Sequence, residues 1–197
     1  KNHLIVFGRY PAVGRVKTRL IHTLGPAGAA ALQKRLAERT MVSACRLSAE
    51  NGVRVVFCHD GGNRERIDRW LGLKDISYRQ QASGDLGRRM YVAMCAAFKQ
   101  GAQRVVLIGT DIPGLSTAIL AQAFDRLKHY DLVLGPSTDG GYWLVGMTRP
   151  VNIFDGIAWS QSTVLDHTLD LARRKGVRAH VVEEHPRTNL PQPIPWQ

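Results

Sequence analysis

Two short apolar runs set the strongest constraint on how this chain can fold. Leu4-Ile5-Val6-Phe7 and Val105-Val106-Leu107-Ile108 are continuous rather than alternating, and a glycine follows each, Gly8 and Gly109. A strand apolar at every position must be covered on both faces, which is the condition of a strand inside a parallel sheet flanked by helices.

The rest of the chain alternates in the way such a sheet requires. After a strand over His3–Phe7, Pro26 opens a helix whose Ala29, Leu32, Leu36, Ser43 and Leu47 share a face and which ends near Gly52. Val53–Cys58 reads as the second strand. A Gly61-Gly62 turn, a short polar helix to Trp70 and a strand at Ile76–Gln80 follow. Asp85–Lys99 forms a helix lined by Leu86, Met90, Ala93 and Ala97, with Gly101 fitting its C-terminal cap. Arg104–Ile108 is a strand, and Ser116 or Thr117 caps a helix that turns Leu120, Ala123, Phe124 and Leu127 inward. Asp131–Leu134 and Tyr142–Met147 are strands around a glycine turn. Ser162–Lys175 is a last helix, with Leu165, Thr168, Leu169 and Ala172 inward and Gly176 after it. Val177–Val182 adds an edge strand, and the four prolines between His185 and Gln197 predict an extended arm. The expected fold is α/β: a mostly parallel central sheet with helices on both faces, in one domain over residues 1–197.

Composition excludes several classes. A chain of 197 residues buries roughly two-thirds of its unfolded surface without covalent staples. No apolar run approaches the ~20 residues of a membrane span, and no secretory core is visible, so the cytoplasm is the expected location. Cys45, Cys58 and Cys95 are too few and too scattered for a disulfide framework or a zinc knuckle, and each reads as a buried thiol.

The net charge of +11 points to an anionic partner. It is concentrated early: no acidic residue precedes Glu38, while Arg9, Arg15, Lys17 and Arg19 fall within eleven residues. Nucleic acid is not expected, because the cations are not interleaved with aromatics and no helix-turn-helix pattern is present. Phosphorylated small molecules remain.

In open α/β sheets ligands bind beyond the carboxyl ends of the strands, so three turns carry the chemistry. Phe7–Leu20 combines Gly8 and Gly14, which allow close backbone approach to an anion, with four cations to offset its charge. It matches neither GxxxxGK[ST] nor GxGxxG. Gly109-Thr110-Asp111-Ile112-Pro113 places a carboxylate where it can hold a hard divalent cation beside phosphates, although Asp is also a common turn former. Gly135–Gly146 sets Asp139 before Gly140 and Gly141, which leave room for a ligand, with Tyr142 and Trp143 beyond; a simple Asp-Gly hairpin is the plainer reading.

Together these blocks resemble a small bacterial family of GT-A-like glycosyltransferase or nucleotidyltransferase-type proteins, many known only as domains of unknown function. The resemblance rests on F-x-R-x-P-x-x-G-x-x-K-T-R-L at Phe7–Leu20, Q-x-x-x-D-L-G-x-R-M at Gln81–Met90 and G-T-D-x-P-x-L at Gly109–Leu115. G-P-x-x-D-G-G-Y-x-L-x-G at Gly135–Gly146 and Trp159-Ser160 complete it, over nearly the whole chain to Val182. It implies a GT-A nucleotide-diphospho-sugar transferase fold. Arg9, Gly14, Arg15, Lys17 and Arg19 would then form the phosphate-side loop, with Lys17 stabilising the reacting phosphates. Asp111 would be the ligand of Mg²⁺ or Mn²⁺. Gln81, Asp85, Asp139, Gly140, Gly141, Tyr142, Trp159 and Ser160 would line the donor or acceptor pocket, Asp139 first and Asp85 second as partner of an acceptor hydroxyl. His22 and His59 read as surface or turn residues.

One block departs from the family pattern. Relatives close with an acidic element of the D-V-D-T-P type, whereas the matching stretch here, His185-Pro186-Arg187-Thr188-Asn189, has no carboxylate. Either His185 or Asn189 substitutes as a weaker ligand, the metal rests on Asp111, phosphate oxygens and water, or catalysis is impaired. The expected activity is metal-assisted glycosyl transfer from a nucleoside-diphosphate sugar to a small-molecule acceptor. The alternatives are nucleotidyl transfer from a nucleoside triphosphate to a phosphorylated acceptor, and nucleotide binding without turnover.

Overall fold

The structure, a computed structural model, describes residues 1–182. The arm expected over 185–197 and the His185–Asn189 stretch lie outside the described residues. Seven strands form one sheet: β1 (Asn2–Arg9), β2 (Arg54–Asp60), β3 (Ser77–Gln80), β4 (Arg104–Ile108), β5 (Leu132–Pro136), β6 (Tyr142–Met147) and β7 (Ala179–Val181). Their spatial order is β3-β2-β1-β4-β6-β5-β7. All neighbours are parallel except β6, which runs antiparallel to both β4 and β5. The expected α/β class and mostly parallel sheet are therefore present.

The helices are α1 (Ile21–Asn51), α2 (Arg64–Leu71), α3 (Leu86–Lys99), α4 (Thr117–Arg126) and α5 (Val164–Arg174), with a 3-10 turn at Thr18–Leu20 before α1. Met41, Ala44 and Leu47 of α1, Ile67 of α2 and Leu120, Ala123 and Phe124 of α4 cover one face of the sheet. Met90, Met94 and Ala97 of α3 and Ala172 of α5 cover the other. In β1, Leu4 and Val6 point into the first core and Ile5 and Phe7 into the second, as a strand apolar at every position demands.

The crossovers position the site. From β1 the chain steps to β2 and on to β3, then returns through α3 to β4 on the opposite side of β1. The gap beyond the carboxyl ends of β1 and β4 is therefore the topological switch point of the sheet. The β6 strand enters at the same edge, because Leu144 pairs Ile108 in antiparallel register.

Two packing expectations are corrected. In α1 the buried positions are Ala29, Ala30, Gln33, Ala37, Thr40, Met41, Ala44 and Leu47, so the inward face is rotated from the Leu32–Leu36–Ser43 line. The cause is polar: Gln33 and Thr40 turn inward to meet Thr110, which a hydrophobic pattern does not register. The helix also breaks at Gly25 (φ 69°, ψ 165°), so that Pro26 does start its long regular part. In α3, Leu86 faces solvent, and Gly87 takes the buried place against Phe154 and Trp159.

This assignment of the α3 face is testable by stability. Met94→Ala should cost about 2–5 kcal/mol by opening a cavity in the second core. Leu86→Ala should change stability by no more than about 0.5 kcal/mol. Urea unfolding midpoints read both, and equal losses would contradict the packing described.

Candidate functional site

The loop after β1 is built by short-range hydrogen bonds. Tyr10 N donates to Asp60 O (2.9 Å), Ala12 N to Tyr10 O (2.7 Å) and Arg15 N to Ala12 O (3.1 Å). Gly14 takes a left-handed conformation (φ 74°), and buried Val16 pins the loop to the fold. Lys17 is also left-handed (φ 45°, ψ 45°), a conformation costing a non-glycine residue about 1–2 kcal/mol. That strained backbone carries the lysine Nζ to 2.9 Å from Asp111 Oδ2. The lysine side chain is 10% exposed and the carboxylate 62%, so a nearly buried ammonium meets an acid that still faces solvent.

Asp111 is held from behind by α1. Gln33 Nε2 donates to Thr110 Oγ1 and Thr40 Oγ1 to Thr110 O, each at 3.4 Å, and Ser43 Oγ donates to Leu115 O at 3.2 Å. Ile112 is buried in the core, which fixes the side of the loop that Asp111 leaves open. Gly109 adds a further clue. Its φ is not in the left-handed region, and a β-carbon there would meet nothing within 4 Å. Neither backbone conformation nor packing requires a glycine at 109, whereas close approach of a ligand would.

A second cluster lies at the ends of β1, β2 and β3. Asp60 Oδ2 is 3.1 Å from Arg9 Nε and 3.7 Å from an Arg89 Nη. Arg89 donates to Gln81 Oε1 (3.0 Å), and Gln81 Nε2 donates to Cys58 O (2.9 Å). Arg89 Nε is buried without a hydrogen-bond partner among the described residues. Arg9 and Gln81, distant in sequence, are thus joined through Asp60, which the sequence did not single out, and Arg89, the arginine of the Gln81–Met90 block to which no role was assigned. Asp85 caps α3, its Oδ1 accepting from Arg88 N at 2.8 Å. Arg15 and Arg19 are exposed and have no carboxylate partner among the described residues.

The third turn closes the antiparallel β5–β6 hairpin, the plainer of its two readings, and departs from the other at Gly140. Asp139 Oδ1 accepts from the Ser137 hydroxyl and from Gly141 N (3.2 Å), and Gly140 N donates to Ser137 O (3.1 Å). The Ser137 hydrogen bond chiefly, helped by backbone donors, holds the Asp139 carboxyl below its ordinary range. Gly140 does not leave room for a ligand: a β-carbon there would strike the Ser162 carbonyl, and Gly140 O accepts from Leu165 N (2.9 Å). Close backbone packing, rather than an open pocket, explains that glycine. A β-carbon at Gly141 would lie 3.3 Å from Ser137 Oγ and 3.4 Å from Asp139 Oδ1. Tyr142 stands 3.5 Å from Thr168 Oγ1, and burial pushes its phenol up to about 12. Trp159 packs edge-on to Tyr142 and against Phe154 and the first turn of α3, buttressing the site from below; exposed Ser160 follows in a left-handed conformation (φ 67°).

The donor set for a metal is small. Among the described residues no group of three or more His, Cys, Asp or Glu side chains could hold an ion. A cation here would have Asp111 as its protein ligand and would need ligand phosphates and water, a mode that suits Mg²⁺. No helix of the described residues is long and apolar enough to cross a membrane.

The comparisons place the chain among known proteins. Residues 41–161 match the family described as an uncharacterized protein conserved in bacteria, DUF2064. A crystal structure from Desulfovibrio desulfuricans G20, provisionally named a nucleotide-diphospho-sugar transferase, is 33% identical; the match covers 92% of this chain and 79% of that one, with TM-score 0.80. The 4-diphosphocytidyl-2C-methyl-D-erythritol synthase of Anaerococcus prevotii DSM 20548 shares the fold at 10% identity, 96% and 92% coverage and TM-score 0.60. The inositol-1-phosphate CTP transferase of T. maritima does so at 16% identity, 91% and 84% coverage and TM-score 0.56. Among curated proteins none matches.

The turn chemistry gives two expectations. Gly140→Ala should destabilise the fold by more than about 2 kcal/mol, since the obstruction is backbone and the φ is positive. A thermal scan showing no loss would refute the close packing. Ser137→Ala should raise the Asp139 pKa toward its ordinary value in a carboxyl NMR titration. Because the folded pKa lies below the unfolded one, this hydrogen bond contributes stability above the ordinary carboxylate range and loses it as pH falls through the folded pKa.

Proposed function

The chain belongs to the DUF2064 family, and we propose that it is a metal-assisted transferase acting on a nucleotide-activated donor, a nucleoside-diphosphate sugar. The observation that carries this reading is the Lys17–Asp111 pair at the switch point of the sheet, beside the open approach at Gly109. The similarity to the Desulfovibrio protein, whose name is of that class, supports it.

Each residue has a role in this reading. Lys17 turns its ammonium from Asp111 to the donor phosphates, and Arg15 and Arg19 supply charge that no carboxylate of the described fold neutralises. Gly14 and Gly109 let backbone approach those phosphates. Asp111 would hold Mg²⁺ or Mn²⁺ together with phosphate oxygens, and the ion when bound would neutralise charge developing on the leaving phosphate. Asp139 is a weak base because its carboxyl is held low, so it orients a hydroxyl of a small-molecule acceptor through Oδ2 more readily than it removes the proton. Tyr142 remains protonated at neutral pH and acts as a hydrogen-bond donor. Arg9, Gln81 and Asp85 shape the pocket wall at the ends of β1 and β3. Trp159 and Ser160 support it from the segment before α5.

Nucleotidyl transfer is the rival. The A. prevotii and T. maritima proteins carry names of that class, but at 10% and 16% identity their likeness speaks for fold alone. The absence of a cluster of three or more His, Cys, Asp or Glu side chains among the described residues also leaves room for nucleotide binding without turnover.

A thermal-shift screen of nucleotides and nucleotide sugars, with and without Mn²⁺, tests the site. A Tm rise that requires both Mn²⁺ and Asp111, and that is lost in Asp111→Asn, is the expected result; no shift with any nucleotide would refute donor binding. With a donor identified, Lys17→Met should lower turnover about 10²–10³-fold. Release of nucleoside diphosphate rather than pyrophosphate separates glycosyl from nucleotidyl transfer.

A further inference from the structure

A cavity lies away from the switch point, between α3 and strands β1, β2 and β3. Helix α3 crosses from β3 back to β4 and packs over β1 and β4, with Val56 and Cys58 of β2 in the same core at its margin. Between them is a groove of about 170 Å³, floored by Ile5, Val56 and Cys58 and walled by the alanines of α3, Ala93, Ala96 and Ala97. Larger side chains at those three positions would close it, so its width is a consequence of sequence.

The polar groups at its rim are cationic or neutral. Arg79 stands beside Cys58 on β3, and with the Gln100 amide turned so that its oxygen faces the guanidinium, that oxygen accepts from both terminal nitrogens of Arg79. A guanidinium has five donors, so others remain. Two same-face pairs further along, beyond the groove lining, His3 opposes Arg54. His3 is buried, its Nδ1 has no partner among the described residues, and burial first, then Arg54 and Arg79, hold its imidazole below the ordinary value. Neither Arg54 nor Arg79 makes an ion pair among the described residues. The rim of an apolar groove therefore carries, in Arg79, a positive charge that no carboxylate of the described residues offsets.

We propose that this groove is a second ligand site, taking a small organic carboxylate whose apolar body lies on Ile5, Val56 and the α3 alanines and whose carboxylate meets Arg79. The size is right for a ring of six carbons with a carboxyl group, since a dry apolar cavity of about 150 Å³ accommodates benzene. The charge selects an anion over a neutral isostere, because a charge-assisted hydrogen bond to guanidinium is the strongest polar contact the rim offers. The site goes beyond the transferase reading and stands independently of it. The two are adjacent, however: Gln81 lines the groove and also holds Arg89, so occupancy reaches the Asp60–Arg89 cluster through one side chain.

Benzoate is the probe, with benzyl alcohol as its neutral counterpart and acetate as an anion lacking the apolar body. Methyl resonances of Ile5 and Val56 report binding in the full chain. Saturable shifts with benzoate, and affinities at least about tenfold weaker for both benzyl alcohol and acetate, are expected. Arg79→Met should weaken benzoate by about tenfold or more with the unfolding midpoint unchanged. Ala96→Leu, which fills the groove without touching Arg79, should abolish the shifts. Absence of saturable shifts at millimolar benzoate, or equal affinity of wild type and Arg79→Met, would overturn the proposal. A nucleotide titration on the same sample fails or succeeds separately, because its probes lie on the Gly109–Asp111 loop.

Discussion

Everything at the candidate site hangs from a strand buried along its whole middle, from His3 to Gly8. Because Leu4 and Val6 enter one core and Ile5 and Phe7 the other, β1 can sit only inside the sheet, paired on both sides. Its register with β4 ends at Val6–Ile108, while that with β2 runs on to Arg9–Asp60. The extra length on one side and its absence on the other open the gap into which the β1 loop folds back. Lys17 can reach Asp111 because β4 stops there. Burial of four apolar residues thus sets the position of a charge contact that contributes little to the stability of the fold.

The second dependence is polar and runs through α1. Hydrogen bonds from Gln33 and Thr40 to Thr110, and from Ser43 to Leu115, hold the loop that presents Asp111. Each contributes on the order of 1 kcal/mol net, but leaving Thr110 O or the buried Gln33 unpaired would cost more, so the set locks one loop conformation. The same contacts fix the rotation of α1 about its axis. A helix read for its leucines alone is turned wrongly by about one residue, because here the tethers, rather than the apolar moment, choose the face.

That marks where the sequence was legible. Continuous apolar runs, Pro26, Ser116 as a cap and the glycines after helices identified the elements to within a residue or two, since those signals are local. The positions of the three turns were legible as well, because each follows a strand signal in the sequence. What was not legible depended on partners distant in sequence. Asp60 lies in a stretch with no special composition, and only the pairing of β2 with β1 brings it to Arg9; Arg89 belongs to the Gln81–Met90 block, but its contact with Asp60 exists only in the fold. Gly140 was misread for the same reason: a glycine that admits a ligand and one that admits Ser162 look alike until the chain before α5 is in place.

The two kinds of glycine and the two kinds of cation then point the same way. Gly140 is explained by packing and needs no ligand, whereas Gly109, with ordinary φ and open space, has no structural reason to lack a side chain. Of the four cations in the first loop, Arg9 is offset by Asp60 and Lys17 by Asp111. Arg15 and Arg19 have no such partner among the described residues, so the loop retains positive charge near Gly109, where a side chain would meet no obstruction. An anion that supplies its own charge to this loop and contacts the backbone at Gly109 meets both conditions at once. In the proposed reading a nucleoside diphosphate would do so, and by drawing Lys17 onto its phosphates it would free Asp111 to bind a cation together with phosphate oxygens.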